Sequence, residues 1–178
     1  MLNKKLINRK EKGFTIIEVL IVLAIAALIL LIVFLAVPAL QRNARNTSRR
    51  SDVARLLAGF NEFVANNNGT PPSTDTQTGT AFQWTSGTAS NVTLGYYTSA
   101  PAAANNCPAT PTNQAVYLVT AYGAACSGSN NTDSVFIIES ATCATSSTSQ
   151  AGTSTKQVVA LYGIENGSAN PVSQCVSS

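Results

Sequence analysis

An unbroken apolar segment near the N-terminus constrains this chain more than any other feature of its sequence. No residue from Val19 to Pro38 is charged, and Phe14–Val37 contains a single ionisable side chain, Glu18. A helix needs about 20 apolar residues to cross the hydrocarbon core of a bilayer, so this span predicts a membrane-spanning helix. An acid at the centre of such a helix costs roughly 2.5 to 3.5 kcal/mol, and it usually has a partner. The nearby sequence offers Glu18 none, which predicts a partner from outside the segment.

The residues in front of the apolar segment resemble a known processing signal. Gly13, Phe14 and Thr15, with Glu18 behind them, follow a short basic leader, 1–13. This arrangement resembles the class III signal of type IV pilins and pseudopilins. The resemblance implies cleavage between Gly13 and Phe14 by a prepilin peptidase, and N-methylation of the new Phe14 amine. It also implies that Glu18 meets the Phe14 amine of a neighbouring subunit in a filament. The alternative is a plain anchor whose Glu18 lies at the level of the lipid headgroups.

The resemblance also implies what such a chain does. It implies a major pilin, which is not an enzyme but the structural subunit of a helical homopolymer, the type IV pilus. The filament would display its heads for cell adhesion and twitching motility. Implied partners are the prepilin peptidase, an assembly ATPase, a platform protein, and the membrane before assembly. The alternatives are a pseudopilin of a type II secretion or competence machine, and a monomeric membrane-anchored binding domain.

The implied location has two stages. Before assembly the chain is a single-pass membrane protein with its leader in the cytoplasm and its head outside. After assembly it belongs to an extracellular filament. The positive-inside bias is weak, because basic residues lie on both sides of the apolar segment. The orientation therefore depends on the resemblance and on cysteines suited to an oxidising compartment.

Charge and composition argue against nucleic-acid binding and catalysis. The net charge of +3 reflects the leader, which has five basic residues and one acidic residue. From Leu56 onward Lys156 is the only basic residue, against five acidic ones, so the head lacks a basic surface for nucleic acid. The chain has no histidine, which excludes histidine-based triads and histidine-containing zinc sites. We expect no cofactor and no metal site.

The long helix is predicted to run over 14–66, with its membrane or filament-core part at 14–37 and an amphipathic part at 38–66. Pro38 cannot donate to the Phe34 carbonyl, and its ring crowds that turn. This predicts a helix break at Pro38, as a kink or locally unwound segment, with a simple bend as the alternative. The resemblance implies that such a proline marks where the helix melts after assembly.

Two stripes follow Pro38 at helical spacing. Arg42, Arg45 and Arg49 form a basic stripe, for which lipid headgroups, acidic patches of neighbouring subunits, or solvent are possible partners. An apolar stripe predicts the seam where the helix docks against the head. Its members are Val53, Leu56, Leu57, Phe60, Phe63 and Val64. The helix is predicted to end at Asn66–Pro72, because Asn and Gly form left-handed caps and prolines prevent continuation.

The head, 67–178, is predicted to be small and β-rich, which makes the fold α+β: a long N-terminal helix packed on a small antiparallel sheet. A Ser/Thr-rich loop is expected over 67–114, with one short strand near Val92–Tyr97. An antiparallel sheet is expected over 115–165 and a C-terminal loop over 166–178. The three apolar runs that predict its strands are Ala115–Tyr122, Ser134–Glu139 and Gln157–Ile164.

All four cysteines, Cys107, Cys126, Cys143 and Cys175, fall in the head, where we expect two disulfides. If the three strands alternate in direction, Cys107 and Cys143 lie at one end of the sheet and Cys126 and Cys175 at the other. That geometry favours the pairs Cys107–Cys143 and Cys126–Cys175. Many pilins pair their last two cysteines, so the resemblance implies Cys143–Cys175 and Cys107–Cys126 as the alternative.

Overall fold

The structure is a computed structural model that describes residues 13–78, 81–85, 90–98, 113–119, 133–143, 150–167 and 172–178. Only the backbone is described for 76–78, 85, 90 and 150–156. The predicted leader up to residue 12 lies outside these ranges, as do Cys107 and Cys126. The chain divides into two compact units, Met1–Ala39 and Leu40–Ser178, and the boundary falls one residue beyond Pro38.

Helix α1 spans Ile16–Asn66 and contains Pro38. The backbone stays helical through Phe34–Pro38, so the predicted break does not take the form of an unwound segment here, and a kink at Pro38 stays a prediction. The physical reason is that a proline removes one amide donor, so the helix loses its bond to one carbonyl while the neighbouring turns keep theirs. The structure does not test whether this turn melts during assembly.

The C-terminal end of α1 is closed by backbone bonds and left-handed residues. The amide of Asn67 donates to the Phe63 carbonyl at 3.0 Å, and the amide of Gly69 donates to the Val64 carbonyl at 2.8 Å. Asn68 and Gly69 have φ angles of 55° and 82°, the left-handed conformation that asparagine and glycine tolerate. The helix therefore ends where the sequence predicts its end.

The head contains two sheets. The first is antiparallel, in the order β1-β2-β3, from Thr74–Thr78, Ala81–Thr85 and Ser90–Thr93. It lies in the segment that the sequence predicted to be a loop with one strand near Val92–Tyr97. The correction has a physical reason: β1 is almost wholly polar and carries no apolar run, while Phe82, Trp84 and Val92 of the other two strands are buried in the core. Packing, rather than local propensity, determines this sheet.

The second sheet is mixed, in the order β4-β5-β6-β7. Its strands are Ala115–Val119, Ser134–Cys143, Gln150–Ile164 and Val172–Ser177. Strands β4 and β5 are parallel, whereas the other neighbours are antiparallel. The purely antiparallel sheet predicted for 115–165 is therefore wrong, and the predicted C-terminal loop contains β7. A parallel pair needs a connection of a dozen or more residues, and the segment between β4 and β5 is long enough.

Apolar clusters cover both faces of the mixed sheet. Along β5, Val135 and Ile137 belong to the cluster that includes α1, while Phe136 and Ile138 belong to a second cluster on the other face. The predicted seam of α1 is confirmed: its members lie in the first cluster, with Val64 packed against it. Burying one such side chain contributes roughly 1.5 to 3 kcal/mol, so the seam is a major source of stability for the unit Leu40–Ser178.

A disulfide joins Cys143 to Cys175, with 5.7 Å between their Cα atoms. The favoured pairs Cys107–Cys143 and Cys126–Cys175 are therefore wrong, and this bridge is the one that the family resemblance implied. The cause is an irregularity in β5. Its register against β6 shifts between Glu139 and Ala141, and Cys143 packs against the second cluster, to which Cys175 of β7 belongs. The favoured pairs would need three straight strands that alternate in direction, whereas β4 and β5 are parallel.

Candidate functional site

The processing motif folds into a helix cap. The Thr15 backbone amide donates to Glu18 Oε2 at 2.8 Å, and the Thr15 hydroxyl donates to the same oxygen at 2.7 Å. In return, the Glu18 amide approaches Thr15 Oγ1 at 3.4 Å. This reciprocal pair is a capping box, in which a threonine at the cap and a glutamate three residues later satisfy each other's amides. The carboxylate also lies at the N-terminus of α1, where the helix dipole stabilises negative charge.

This geometry corrects the expectation that the nearby chain offers Glu18 no partner. Thr15 is that partner, and the spacing of the two residues is the sequence pattern of a capping box. Hydrogen bonds orient the carboxylate, but they do not neutralise it. Both bonds from Thr15 end on Oε2, and Glu18 is exposed in the isolated chain. The arrangement leaves a fixed negative charge one helical turn from Phe14.

An exposed apolar surface surrounds that charge. Phe14 is 88 % exposed, and a shallow groove beside it is lined by Glu18, Val19, Val22 and Leu23. The large apolar side chains that follow, as far as Val37, are likewise exposed. By length and composition α1 is able to cross a membrane, and it is the one helix of the described residues that meets this test. A contiguous apolar surface of this extent requires lipid or other protein as its cover.

The basic stripe that begins beyond Pro38 is bound mainly within the head. Arg45 forms a two-pronged ion pair with Glu165, at 2.9 and 2.6 Å. Arg49 is 1 % exposed and contacts Glu165 at 3.0 Å and Asp133 at 3.3 Å. Its guanidinium also lies over the ring of Tyr96, 4.4 Å from the centroid. The Arg45 hydrogen bond is the main reason why the pKa of Glu165 lies below its ordinary value. These two arginines therefore bind α1 to the head, which supplies the partners that lipid or another subunit was expected to supply.

A carboxylate on the next turn of α1 makes a second tie. Asp52 is 1 % exposed and accepts backbone amide bonds from Gly95, Tyr96 and Tyr97. The approach is close: a Cβ atom on Gly95 would lie 3.3 Å from Ser48 Oγ. Glycine allows the backbone after β3 to reach the helix. Sequence reasoning missed this tie, because nothing local marks Asp52 as the acceptor for a segment more than 40 positions away.

Two acids of the head, the buried Glu139 and the half-buried Asp75, form no ion pair with a base among the described residues. Burial raises the pKa of Asp75 to about 6 and that of Glu139 to about 7. Sequence reasoning counted both only toward the acidic charge of the head. For Glu139 the pattern held a signal, since the residue continues the alternation of Val135 and Ile137 toward the core. In the described part of the chain, no group of three or more histidine, cysteine or acidic side chains is placed to hold a metal ion.

Comparison with known proteins identifies the N-terminal region. Residues 8–34 match the family model described as the prokaryotic N-terminal methylation motif. No curated protein and no solved structure matches the chain. The matched residues cover the end of the predicted leader, the capping box and most of the apolar part of α1. The match supports a prepilin of the type IV pilin or pseudopilin type, and the helix with its two sheets is consistent with the α+β architecture of pilins.

Proposed function

We propose that this prepilin-type chain is a structural subunit of a type IV pilus, which polymerises through the apolar part of α1 and displays its head outside. The observation that carries the proposal is the methylation-motif match over 8–34, on a helix whose apolar side chains are exposed from Phe14 to Val37. In the membrane, lipid covers this surface. In the filament, the same part of neighbouring helices covers it. The role is mechanical, and it needs no catalytic group or cofactor.

Maturation supplies the counter-ion for Glu18. Cleavage between Gly13 and Phe14 by a prepilin peptidase creates an ammonium group on Phe14, and N-methylation keeps it cationic. The capping box with Thr15 fixes the Glu18 carboxylate near that end of the helix. The Phe14 ammonium of another subunit then pairs with the carboxylate. Attraction in low dielectric is strong, but desolvation offsets much of it, so the pair sets the register of subunits more than it adds net stability.

Export and assembly determine the remaining partners. Before assembly the chain spans the membrane once, with its leader in the cytoplasm and its head outside. An assembly ATPase and a platform protein then extract it into the filament. Local melting of α1 near Pro38 accompanies this step, since that turn already lacks one backbone hydrogen bond. The assembled filament serves cell adhesion and twitching motility.

Substitutions at Glu18 and Thr15 separate the charge from the cap. Glu18→Gln keeps a capping-box side chain but removes the charge, whereas Thr15→Val keeps the charge and removes the cap hydroxyl. We expect Glu18→Gln and Glu18→Ala to be processed and held in the membrane, and to lower the amount in sheared filaments at least tenfold. Thr15→Val should lower it far less. Normal filaments from Glu18→Gln would refute the ion pair.

Mass spectrometry of the sheared material tests the rest of the proposal. We expect a chain that begins at N-methylated Phe14. A mature chain that retains 1–13 would have no Phe14 amine to offer, and polymerisation by this route would be excluded. Recovery only from membranes, uncleaved and unassembled, would indicate a monomeric anchored binding domain.

The same motif match supports a second candidate, a pseudopilin of a type II secretion or competence machine. Abundance distinguishes the two. A major pilin dominates the sheared surface fraction, whereas a pseudopilin remains a minor component of the envelope. Deletion of the gene should abolish surface filaments in the first case and protein secretion or DNA uptake in the second.

A further inference from the structure

A carboxylic acid occupies a core position in the head. Along β5, Val135 and Ile137 face the cluster that includes α1, and Glu139 follows at the same alternate spacing. Glu139 is 9 % exposed, and its Oε1 atom has no hydrogen-bond partner within the described part of the chain. Burying a charged oxygen without a partner costs free energy, and a ligand that pairs with the carboxylate would reduce that cost.

This acid lines a pocket of about 380 Å³ in the head. The other lining residues among those that the structure describes carry no titratable group and come from the end of α1, the segment behind it, β5 and β6. They are Phe60, Val64, Gly69, Pro71, Ser140 and Gln157. The volume is that of a site for a small organic molecule or one long side chain. The register shift beside Glu139 and the left-handed φ of 55° at Ser140 mark a bulge, which is how a strand redirects its side chains.

We propose that this pocket binds a primary ammonium group on a small apolar body, with Glu139 as the counter-ion. The walls contributed by Phe60, Val64 and Pro71 would hold the apolar body. The Oε1 atom is closed to solvent, which leaves the other carboxylate oxygen as the one open to a ligand. One open oxygen suits an ammonium, which acts as a point charge, better than a guanidinium, which prefers two parallel bonds to both oxygens. The proposal is independent of filament assembly, because every residue of the pocket lies in the unit Leu40–Ser178.

The chain's own described cations do not fill this role. None of the five arginines of α1 lines the pocket. Arg45 and Arg49 are bound to Glu165, and Arg55 donates to the Thr93 carbonyl. The side chain of Lys156 lies outside the described residues, so its substitution is part of the test. Burial raises the pKa of Glu139 to about 7, which implies that affinity for an amine increases between pH 6 and pH 8.

The test uses the full chain in detergent micelles, titrated calorimetrically with benzylamine and with its neutral analogue benzyl alcohol. Empty micelles provide the blank. At pH 8 we expect benzylamine to bind at least tenfold more tightly than benzyl alcohol. Glu139→Gln should lose at least tenfold in benzylamine affinity, and Val64→Phe should abolish binding by filling the pocket. The matched control Glu62→Gln removes an exposed acid of α1 and should keep affinity within twofold.

Three results would overturn the proposal: equal affinity for the amine and the alcohol, unchanged affinity in Glu139→Gln, or binding that appears only in Lys156→Ala. The last would mean that the chain neutralises its own acid. A further arm compares N-acetylated Gly-Lys-Gly with its N-acetylated norleucine analogue, so that the lysine side chain carries the ammonium group. Preference for the lysine peptide over benzylamine would identify a protein lysine as the source of the ammonium, and the reverse would identify a free amine.

Discussion

The tie between Asp52 and the segment after β3 yields the sharpest stability prediction. The Asp52 carboxylate accepts amide bonds from Gly95 at 2.8 and 2.9 Å, from Tyr96 at 2.6 Å and from Tyr97 at 3.3 Å. Asp52→Ala removes the acceptor for all three amides. Unlike a surface substitution, it leaves three backbone amides without the acceptor toward which the fold directs them.

The magnitude follows from how exposed those amides are. A lost bond to a charged group costs about 1.5 to 3 kcal/mol, and a buried donor left unsatisfied adds to that. Gly95 is exposed and Tyr96 half-buried, so water replaces part of the loss there, whereas Tyr97 is fully buried. We therefore expect Asp52→Ala to lower the free energy of unfolding by about 3 kcal/mol. Asp52→Asn keeps one acceptor oxygen and should cost about half as much.

The assay is urea unfolding of the full chain in micelles, followed by the fluorescence of Trp84. This is the only tryptophan of the sequence, and its side chain is fully buried in the head. With a slope of about 1 to 3 kcal/mol per molar urea, Asp52→Ala should lower the midpoint by about 1 to 3 M. Glu62→Ala, at an exposed position of the same helix, should stay within about 0.5 kcal/mol. A cost below about 1 kcal/mol for Asp52→Ala would refute this account of the tie.

Three other features of the head predict measurable changes. The folded-state pKa of Glu139, about 7, lies above its ordinary 4.5, so its contribution is complete below pH 4.5 and is lost as pH rises through 7. Between pH 5 and pH 8, the free energy of unfolding of Glu139→Gln should therefore rise by about 1 to 3 kcal/mol relative to that of the wild type. Parallel plots of unfolding free energy against pH for the two proteins would contradict this. The Cys143–Cys175 bridge spans a separation of 32 residues, so replacing both cysteines by serine should lower the free energy of unfolding in urea by about 3 to 4 kcal/mol. A wild-type unfolding midpoint that does not change on reduction would contradict this. Arg49→Ala should cost about 3 kcal/mol, because it leaves acids partly buried, whereas Arg45→Ala, at a side chain 43 % exposed, should cost less than about 1 kcal/mol. Equal costs would show that burial does not distinguish the two arginines.

Features encoded by neighbouring residues were predictable. The apolar run, the processing motif and the stripe from Val53 to Val64 each depend on spacing within a few helical turns. The helix end at Asn66 depends on asparagine and glycine in immediate succession. The capping box of Thr15 and Glu18 is also a local pattern, a threonine followed three residues later by a glutamate. Pro38 does not unwind the backbone, because one absent hydrogen bond does not end a helix that has intact turns on both sides.

Features that depend on the path of the chain were not predictable. Apolar runs marked β4, β5 and β6 as strands, but their pairing depends on how each connection runs. Strands β4 and β5 are parallel, where an antiparallel pair was predicted. The polar strand β1 has no apolar run of its own and pairs with β2, whose Phe82 and Trp84 are buried in the core.

The sequence by itself determined that the chain carries a prepilin-type motif on a membrane-length helix, followed by an α+β head, because repeats of two and 3.6 residues are local properties. Only the tertiary structure decided which cysteine meets Cys143, that Arg49 and Asp52 bind the head, and that Glu139 lies in a pocket. Those contacts join residues that are far apart in sequence, such as Arg49 and Glu165 at a separation of 116. Such contacts form only when the helix and the sheets of the head pack together, so no local pattern of the sequence predicts them.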